Sequence, residues 1–270
     1  MTKHYILQAL NADRKSVYID NVPNGKNCAC TCAECGGKLI AKNKGRIKIH
    51  HFAHESGNDS IRCSQTALHL LAKEIIAEEK KIPALVGGRI NFVLVENIEQ
   101  EKNMGDIKPD LYAKYSEKPI AVEIFVSHAV DEIKFNKIQE HKLTTFEIDL
   151  SKTIFVNKEE VRKAIYNLKN IQIIYDYEII ERMLMQKRQF IMQNGRKHYA
   201  YHCPKPRIII NDKHQKIYII NPTNCKNCPM EYNDYCIGHL NIQNIDLYLF
   251  RLNANNGRLM SFSECLRQIR

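Results

Sequence analysis

The sequence predicts an α+β protein in which a core of order αβββαβ is flanked on each side by a small metal-binding module. Three observations carry this. Between residues 65 and 155 a stretch of helical periodicity gives way to β-branched runs, then to a second helical stretch and a last strand. Most of the ten cysteines fall into two local groups, one before that core and one after it, rather than spreading as a disulfide framework would. At 270 residues and 44% apolar content the chain can bury one sizeable core and leave room for small modules. The start, MTKHYILQALNADRK, has too short an apolar run for a signal peptide, and charges nowhere vanish for the length of a membrane span. A cytoplasmic protein with reduced thiols is the expectation, and thiols grouped in this way suit zinc.

Residues 1–64 form the first module. Ser16 to Asp20 alternate weakly and a Pro-Asn-Gly turn stands at 23–25, which predicts a β-hairpin leading into Cys28, Cys30, Cys32, Cys35, His50, His51, His54 and Cys63. Cys32-x2-Cys35 followed by Gly36-Gly37 has the outline of a zinc knuckle, because glycines let backbone N–H groups approach thiolate sulfur. A four-ligand site of this kind leaves no place for water, so it serves the fold and not the chemistry.

From Thr66 the residues Leu68, Leu71, Ala72, Ile75 and Ile76 fall on one helical stripe, with Gln65 and His69 four apart on its edge. Pro83 and Gly87-Gly88 are expected to close this helix. A strand then covers residues 89–96, followed by those of Asp110 and Glu123, a helix to about Leu143, and a strand over residues 145–150. The bridging helix lets that last strand lie parallel to the strand of Glu123. Residues 156–199 are expected to be a helical, basic linker, with helices over residues 159–169 and 177–193. Lys187-Arg188 in the second is a candidate substrate-binding patch. In the last module, residues 200–270, strands over residues 207–210 and 216–220 flank Asn211-Asp212-Lys213. Cys203, Cys225-x2-Cys228 and Cys236 then suggest a second zinc site of four thiolates, with His202 and His239 as alternates and Cys265 left over as a core residue.

The chemistry concentrates in DIKPDLYAKYSEKPIAVEIFVSHAVDEIKFNKI, residues 106–138. Asp110 ends a Lys-Pro-Asp segment, a turn carrying Lys118 and Pro119 follows, and Glu123 sits in the run from Ile120 to Val126. Two neighbouring strands would each present one carboxylate. Such oxygens suit Mg²⁺ or Mn²⁺, ions that activate water and neutralise charge on a phosphodiester. Glu123, Phe125 and Ser127 share a strand face by the period of two, so no other charged side chain accompanies the acid there. On the following helix Val130, Lys134 and Ile138 form one row and Ile133, Lys137 and His141 the next, which places both lysines within the apolar arc.

Pro109-Asp110 followed by Glu123 resembles the PD-(D/E)xK nuclease motif. The string EIFVSHAVDEIKFNKI, downstream of His51-Phe52-Ala53-His54 and Ala67-Leu68-His69-Leu70-Leu71-Ala72-Lys73-Glu74, is similar to the CoiA-like competence proteins of that superfamily. The resemblance covers roughly the first 150 residues. It implies a restriction-endonuclease-like core and points to His54 and Cys63 as the partners of Cys32 and Cys35, with His51 and Cys30 as rivals. It also implies catalytic roles for Asp110 and Glu123. Two positions depart from the pattern: Phe125 stands where a lysine usually follows the acid, and Gln65 where the family carries Glu. Lys134 or Lys137 would then replace the missing cation, His69 would act at the site, and Ser127 and His128 would touch the scissile phosphate.

The expected activity is Mg²⁺- or Mn²⁺-dependent hydrolysis of phosphodiester bonds in DNA, in competence, recombination or defence against foreign DNA. The alternative is a non-catalytic nucleic-acid-binding protein on a decayed nuclease fold. A net charge of +10 favours a polyanionic partner; the excess sits on the two flanks, while residues 81–155 are slightly acidic, as a cation site requires.

Overall fold

The computed structural model describes residues 4–197, 207–210, 213, 215–219, 225, 228–240 and 252–260. The chain divides into two compact units, Met1–Tyr175 and Asp176–Arg270. In the first, β1 (Gln8–Leu10) pairs with β2 (Ser16–Tyr18) across a turn at 11–15, where Arg14 takes φ 59°. The hairpin is therefore closed earlier than the Pro-Asn-Gly segment. Gly25, at φ +76°, instead hydrogen-bonds to the backbone of Ala41 in β3 (Leu39–Lys42), which pairs with β4 (His51–His54).

Helix α1 (Ile61–Glu79) starts five residues before the predicted Thr66, because Ser60 caps it by accepting the N–H of Cys63 at 3.2 Å. Its stripe is the predicted one: Leu68, Leu71, Ala72, Ile75 and Ile76 are all buried. Lys80, left-handed at φ 51°, ends it. Pro83 and Gly87-Gly88 do not. Pro83 lies within β5 (Lys81–Val86), and the two glycines, at φ 59° and 76°, form the tight turn to β6 (Arg89–Leu94). Two positive φ values in a two-residue loop are the hairpin geometry that glycine pairs favour. The strand expected at 89–96 thus belongs to a separate two-stranded ribbon and not to the main sheet.

The main sheet has five strands in the order β11-β10-β9-β8-β7. β7 (Ile98–Gln100) takes the edge place expected for residues 89–96. β8 (Leu111–Tyr115) and β9 (Lys118–Phe125) meet through Ser116-Glu117, at φ 49° and 63°, so Lys118 and Pro119 lie in the strand and not in the turn. Helix α2 (Glu132–Glu140) is capped by Asp131, which accepts the Lys134 N–H at 2.7 Å. β10 (Thr144–Asp149) then runs parallel to β9, as the bridging helix requires. After α3 (Lys158–Ile165), β11 (Ile171–Tyr175) closes the sheet antiparallel to β10.

Residues 156–175 are therefore part of the first unit and not a linker. The core runs without interruption from Phe52 of β4 through Leu71, Ile75 and Ile76 of α1 to Leu111, Phe146 and Ile148 of the sheet and Val161 and Ile165 of α3. Each such side chain contributes roughly 1.5–3 kcal/mol by leaving water, which joins the expected N-terminal module to the sheet.

In the second unit α4 (Tyr177–Asn194) is capped by Asp176. β12 (Arg196–Lys197) pairs with β16 (Tyr235–Cys236), which pairs with β15 (Glu231–Tyr232). β13 (Arg207–Ile210) and β14 (Lys216–Ile219) form the predicted hairpin. Ile191, Met230, Ile237, Ala254 and Met260 are buried together here.

Candidate metal centre and candidate active site

One ligand atom from each of Cys32, Cys35, His54 and Cys63 lies within 4.8 Å of the other three, a set that could hold one metal ion. Among the described residues no other such His, Cys, Asp or Glu group is found. The knuckle turn directs backbone N–H groups at sulfur: those of Cys35 and Glu34 reach Cys32, and that of Gly37 reaches Cys35. A Cβ on Gly37 would meet the His54 ring at 3.2 Å and the Cys35 sulfur at 3.3 Å, so glycine is what lets the chain pass so close.

His54 Nε2 lies 3.2 Å from Cys35 Sγ, while its Nδ1 is 2.7 Å from Asp59 Oδ1. A carboxylate on the far nitrogen fixes the tautomer that leaves Nε2 free to ligate. Ser60 both caps α1 and donates its hydroxyl to Cys63 Sγ at 3.2 Å. The rivals are placed elsewhere: Cys30 Sγ meets the Cys28 carbonyl at 3.1 Å, and His51 Nδ1 the Ile49 carbonyl at 2.9 Å. Burial pushes the Cys32 thiol up to about 12, whereas the Gly37 N–H helps bring the exposed Cys35 down to about 7.

Asp110 stands one residue before β8, and the pairing of Leu111 with Val122 sets it opposite Glu123. Its Oδ2 accepts the Ile124 N–H at 2.9 Å and lies 2.9 Å from His69 Nε2. Burial works against the Asp110 charge, but His69, by hydrogen bond and then by charge, holds the carboxyl below its ordinary range. Glu123 is 4% exposed, and burial first, then the Asp110 carboxylate, pushes its carboxyl up to about 8. Oε2 accepts from the Lys134 ammonium at 2.6 Å; Oε1 is buried with no hydrogen-bond partner among the described residues.

The two helix lysines part company. Ile138 in the row of Lys134 is fully buried, whereas Ile133 in the row of Lys137 is 69% exposed, so only the first row faces the sheet. Lys137 donates instead to the Asp106 carbonyl at 2.7 Å, with His141 on the Asp106 carboxylate at 2.7 Å. It is removed from the candidate site. Lys187 and Arg188 are likewise no substrate patch. Lys187 is 3% exposed and donates to the Leu252 carbonyl, and Arg188 donates to that of Ala254 at 2.8 Å while lying over the Tyr232 ring. Both tie α4 to the segment around residue 253.

Sequence reasoning missed Glu147. It pairs in register with Glu123 on the parallel strand and with Gln172 on β11, extending the row of Asp110 and Glu123 across four strands. Both its oxygens are engaged, one by Gln172 and the other by the Val130 N–H at 3.0 Å, just before the cap of α2. Asp59 was missed too; a carboxylate five residues beyond a ligand histidine is the signal that could have found it. Ser127 and His128 do line a cleft of about 480 Å³, with Glu34, Arg62, Gln65 and His69.

In the second unit Cys228 donates its N–H to the Cys225 carbonyl at 2.9 Å, and Cys236 Sγ accepts the Gly238 N–H at 3.2 Å. Cys203, His202 and Cys265, which the sequence singled out, lie outside the described residues.

Compared with protein-family models, curated proteins and solved structures, the chain matches none of them. Among the described residues no helix is long and apolar enough to cross a membrane.

Proposed function

We propose that this chain is a metal-dependent nuclease that hydrolyses phosphodiester bonds in DNA. The observation that carries the reading is a buried pair of carboxyls, Asp110 beside Glu123, in which Glu123 Oε1 accepts no N–H or O–H among the described residues. A native protein rarely leaves such an atom without a purpose. Hard oxygen donors in a buried pair fit Mg²⁺ or Mn²⁺, and Asp110 and Glu123 would hold that ion. When bound, it would supply Lewis acidity and neutralise phosphate charge. His69 holds the Asp110 carboxylate in one orientation. Lys134, whose ammonium already reaches Glu123, can orient the attacking water and offset charge building on the phosphate, the task of the lysine that Phe125 replaces. Ser127 and His128 line the neighbouring cleft, which shares His69 with the acid pair.

Zinc is the proposed ion of the Cys32, Cys35, His54 and Cys63 cluster, since three thiolates and an imidazole suit it. A second zinc on Cys203, Cys225, Cys228 and Cys236 is proposed for the C-terminal unit. Such thiolate sites favour the reducing cytoplasm. The motif resemblance to CoiA-like competence proteins supports a role in competence, recombination or defence against foreign DNA.

One observation favours the second reading, a non-catalytic nucleic-acid-binding protein. Both acids already carry a partner able to bear positive charge, His69 on Asp110 and Lys134 on Glu123. Purified protein incubated with single- and double-stranded DNA and Mg²⁺ or Mn²⁺, beside an Asp110→Ala/Glu123→Ala variant, decides between them. Cleavage by the parent alone establishes the nuclease; equal inactivity of both with DNA binding retained establishes the alternative.

A further inference from the structure

The cleft beside the acid pair holds an unusual number of unspent polar groups. Arg62, Gln65, Ser127 and His128 all line it, and none of these side chains makes a hydrogen bond or ion pair among the described residues. Gln65 is the telling member: it is 9% exposed, yet its amide is left open to the cleft. The little surface this residue keeps includes its amide, which is not among the buried polar atoms, so the amide meets the cleft and can exchange water there for a ligand. The wall facing it is already satisfied, since Glu34 of the knuckle accepts from the Thr66 hydroxyl at 2.7 Å.

We propose that this cleft takes one nucleotide of the nucleic-acid substrate next to the bond to be cut. Arg62 would hold a phosphate, and Gln65 would pair with a base edge. The cleft's volume of about 480 Å³ suits a ligand of that size. Arg62 offers a planar fork that matches phosphate oxygens, and an amide offers a donor and an acceptor together, as base edges require. His69 is common to the cleft and to the acid pair, so a nucleotide bound here lies beside Asp110. The first turn of α1 thus serves two tasks: Cys63 belongs to the metal cluster, while Arg62 and Gln65 face the substrate. The identity of the ligand rests on the nuclease reading.

The test measures binding without added Mg²⁺ or Mn²⁺, by fluorescence anisotropy of a short labelled DNA strand against the full chain at several salt concentrations. Arg62→Ala should weaken binding about tenfold and lower the slope of log affinity against log salt by about one. Arg62→Lys should restore the slope. Gln65→Ala should weaken binding about threefold, the scale of one lost hydrogen bond, at unchanged slope. Lys114→Ala, an exposed cation on β8, should match the parent. Parental binding by Arg62→Ala, or an equal loss in Lys114→Ala, overturns the proposal. Arg62 is exposed and its variants should fold, so that arm decides even if Gln65→Ala melts early. Parallel cleavage assays separate the two ideas. Binding through Arg62 without cleavage by the parent sinks the nuclease reading alone, and cleavage with Arg62→Ala unimpaired in binding sinks the cleft alone.

Discussion

In the Cys32, Cys35, His54 and Cys63 cluster every ligand comes from the knuckle, the end of β4 or the first turn of α1, and Asp59 and Ser60 between them supply the supporting hydrogen bonds. The Asp110 and Glu123 pair is assembled from afar. Glu123 sits on β9 and Asp110 just before β8, while the pair's imidazole comes from α1 and its ammonium from α2. The first site depends on residues close in sequence, the second on how whole elements pack. The first should therefore fail as a unit of folding, and the second should fail by loss of positioning in a chain that stays folded.

The largest effect should come from Cys32→Ser. Structural zinc contributes on the order of 10 kcal/mol to small metal modules, comparable to the whole stability of a domain. Because one core joins this cluster to the sheet, the entire first unit should melt early and elemental analysis should show one zinc fewer. Cys28→Ser should cost only about 1 kcal/mol, since Cys28 lies outside the cluster.

Next comes the acid pair. Asp110→Ala and Glu123→Ala should abolish cleavage while the melting curve and zinc content stay near the parent's. Lys134→Ala should lose about a hundredfold or more in rate with metal binding largely kept, whereas Lys137→Ala should cut at close to the parental rate. Phe125→Lys in the Lys134→Ala background is the reciprocal test, because the new ammonium shares the strand face of Glu123. Equal rates for Lys134→Ala and Lys137→Ala would break the comparison, since α2 would then contribute no charge.

A smaller effect tests how Asp110 is held. Glu101 donates its N–H to the Asp110 carbonyl at 2.9 Å, and its carboxylate bridges the buried Lys73 of α1 and Lys108. Lys108 and then Lys73 hold the Glu101 carboxyl down at about 2. A depressed carboxyl contributes stability that is full above the ordinary value near 4.5 and is lost as the pH falls toward 2. Thermal melts across that window should fall less steeply for Glu101→Gln than for the parent. Near neutral pH the variant should cut more slowly at unchanged zinc content.

The smallest effect on nucleic acid is expected from Lys187→Met. Losing its bond to the Leu252 carbonyl should lower the melting temperature of the second unit by the equivalent of about 1–3 kcal/mol, with DNA affinity unchanged. A clear loss of affinity would restore the basic patch on α4.

Several features were legible because they are written in neighbouring residues. The stripe of α1, the knuckle with its glycines, the hairpin of β13 and β14 and the parallel return of β10 follow from periodicity, spacing and the reach of a bridging helix. The Gly87-Gly88 turn is legible too, as a hairpin signal, although with Pro83 before it the same residues also read as a helix stop. Proline is tolerated in a two-stranded ribbon that a central strand would not allow.

By itself the sequence determined which atoms are available: thiols two residues apart, a Pro-Asp and a later Glu, and two lysines one turn apart on a helix. It also determined the local turns, because glycine pairs and capping side chains act on their own neighbours. Only the tertiary structure decided which of those atoms meet. The rotation of α2 turned Lys134 to Glu123 and Lys137 away, strand register set Glu147 beside Glu123, and the packing of α4 buried Lys187. The physical reason is that rotation and register are fixed by the burial of apolar area distributed over the whole core. A shift of one residue along a strand or a helix leaves local spacing unchanged and carries every functional side chain to another face.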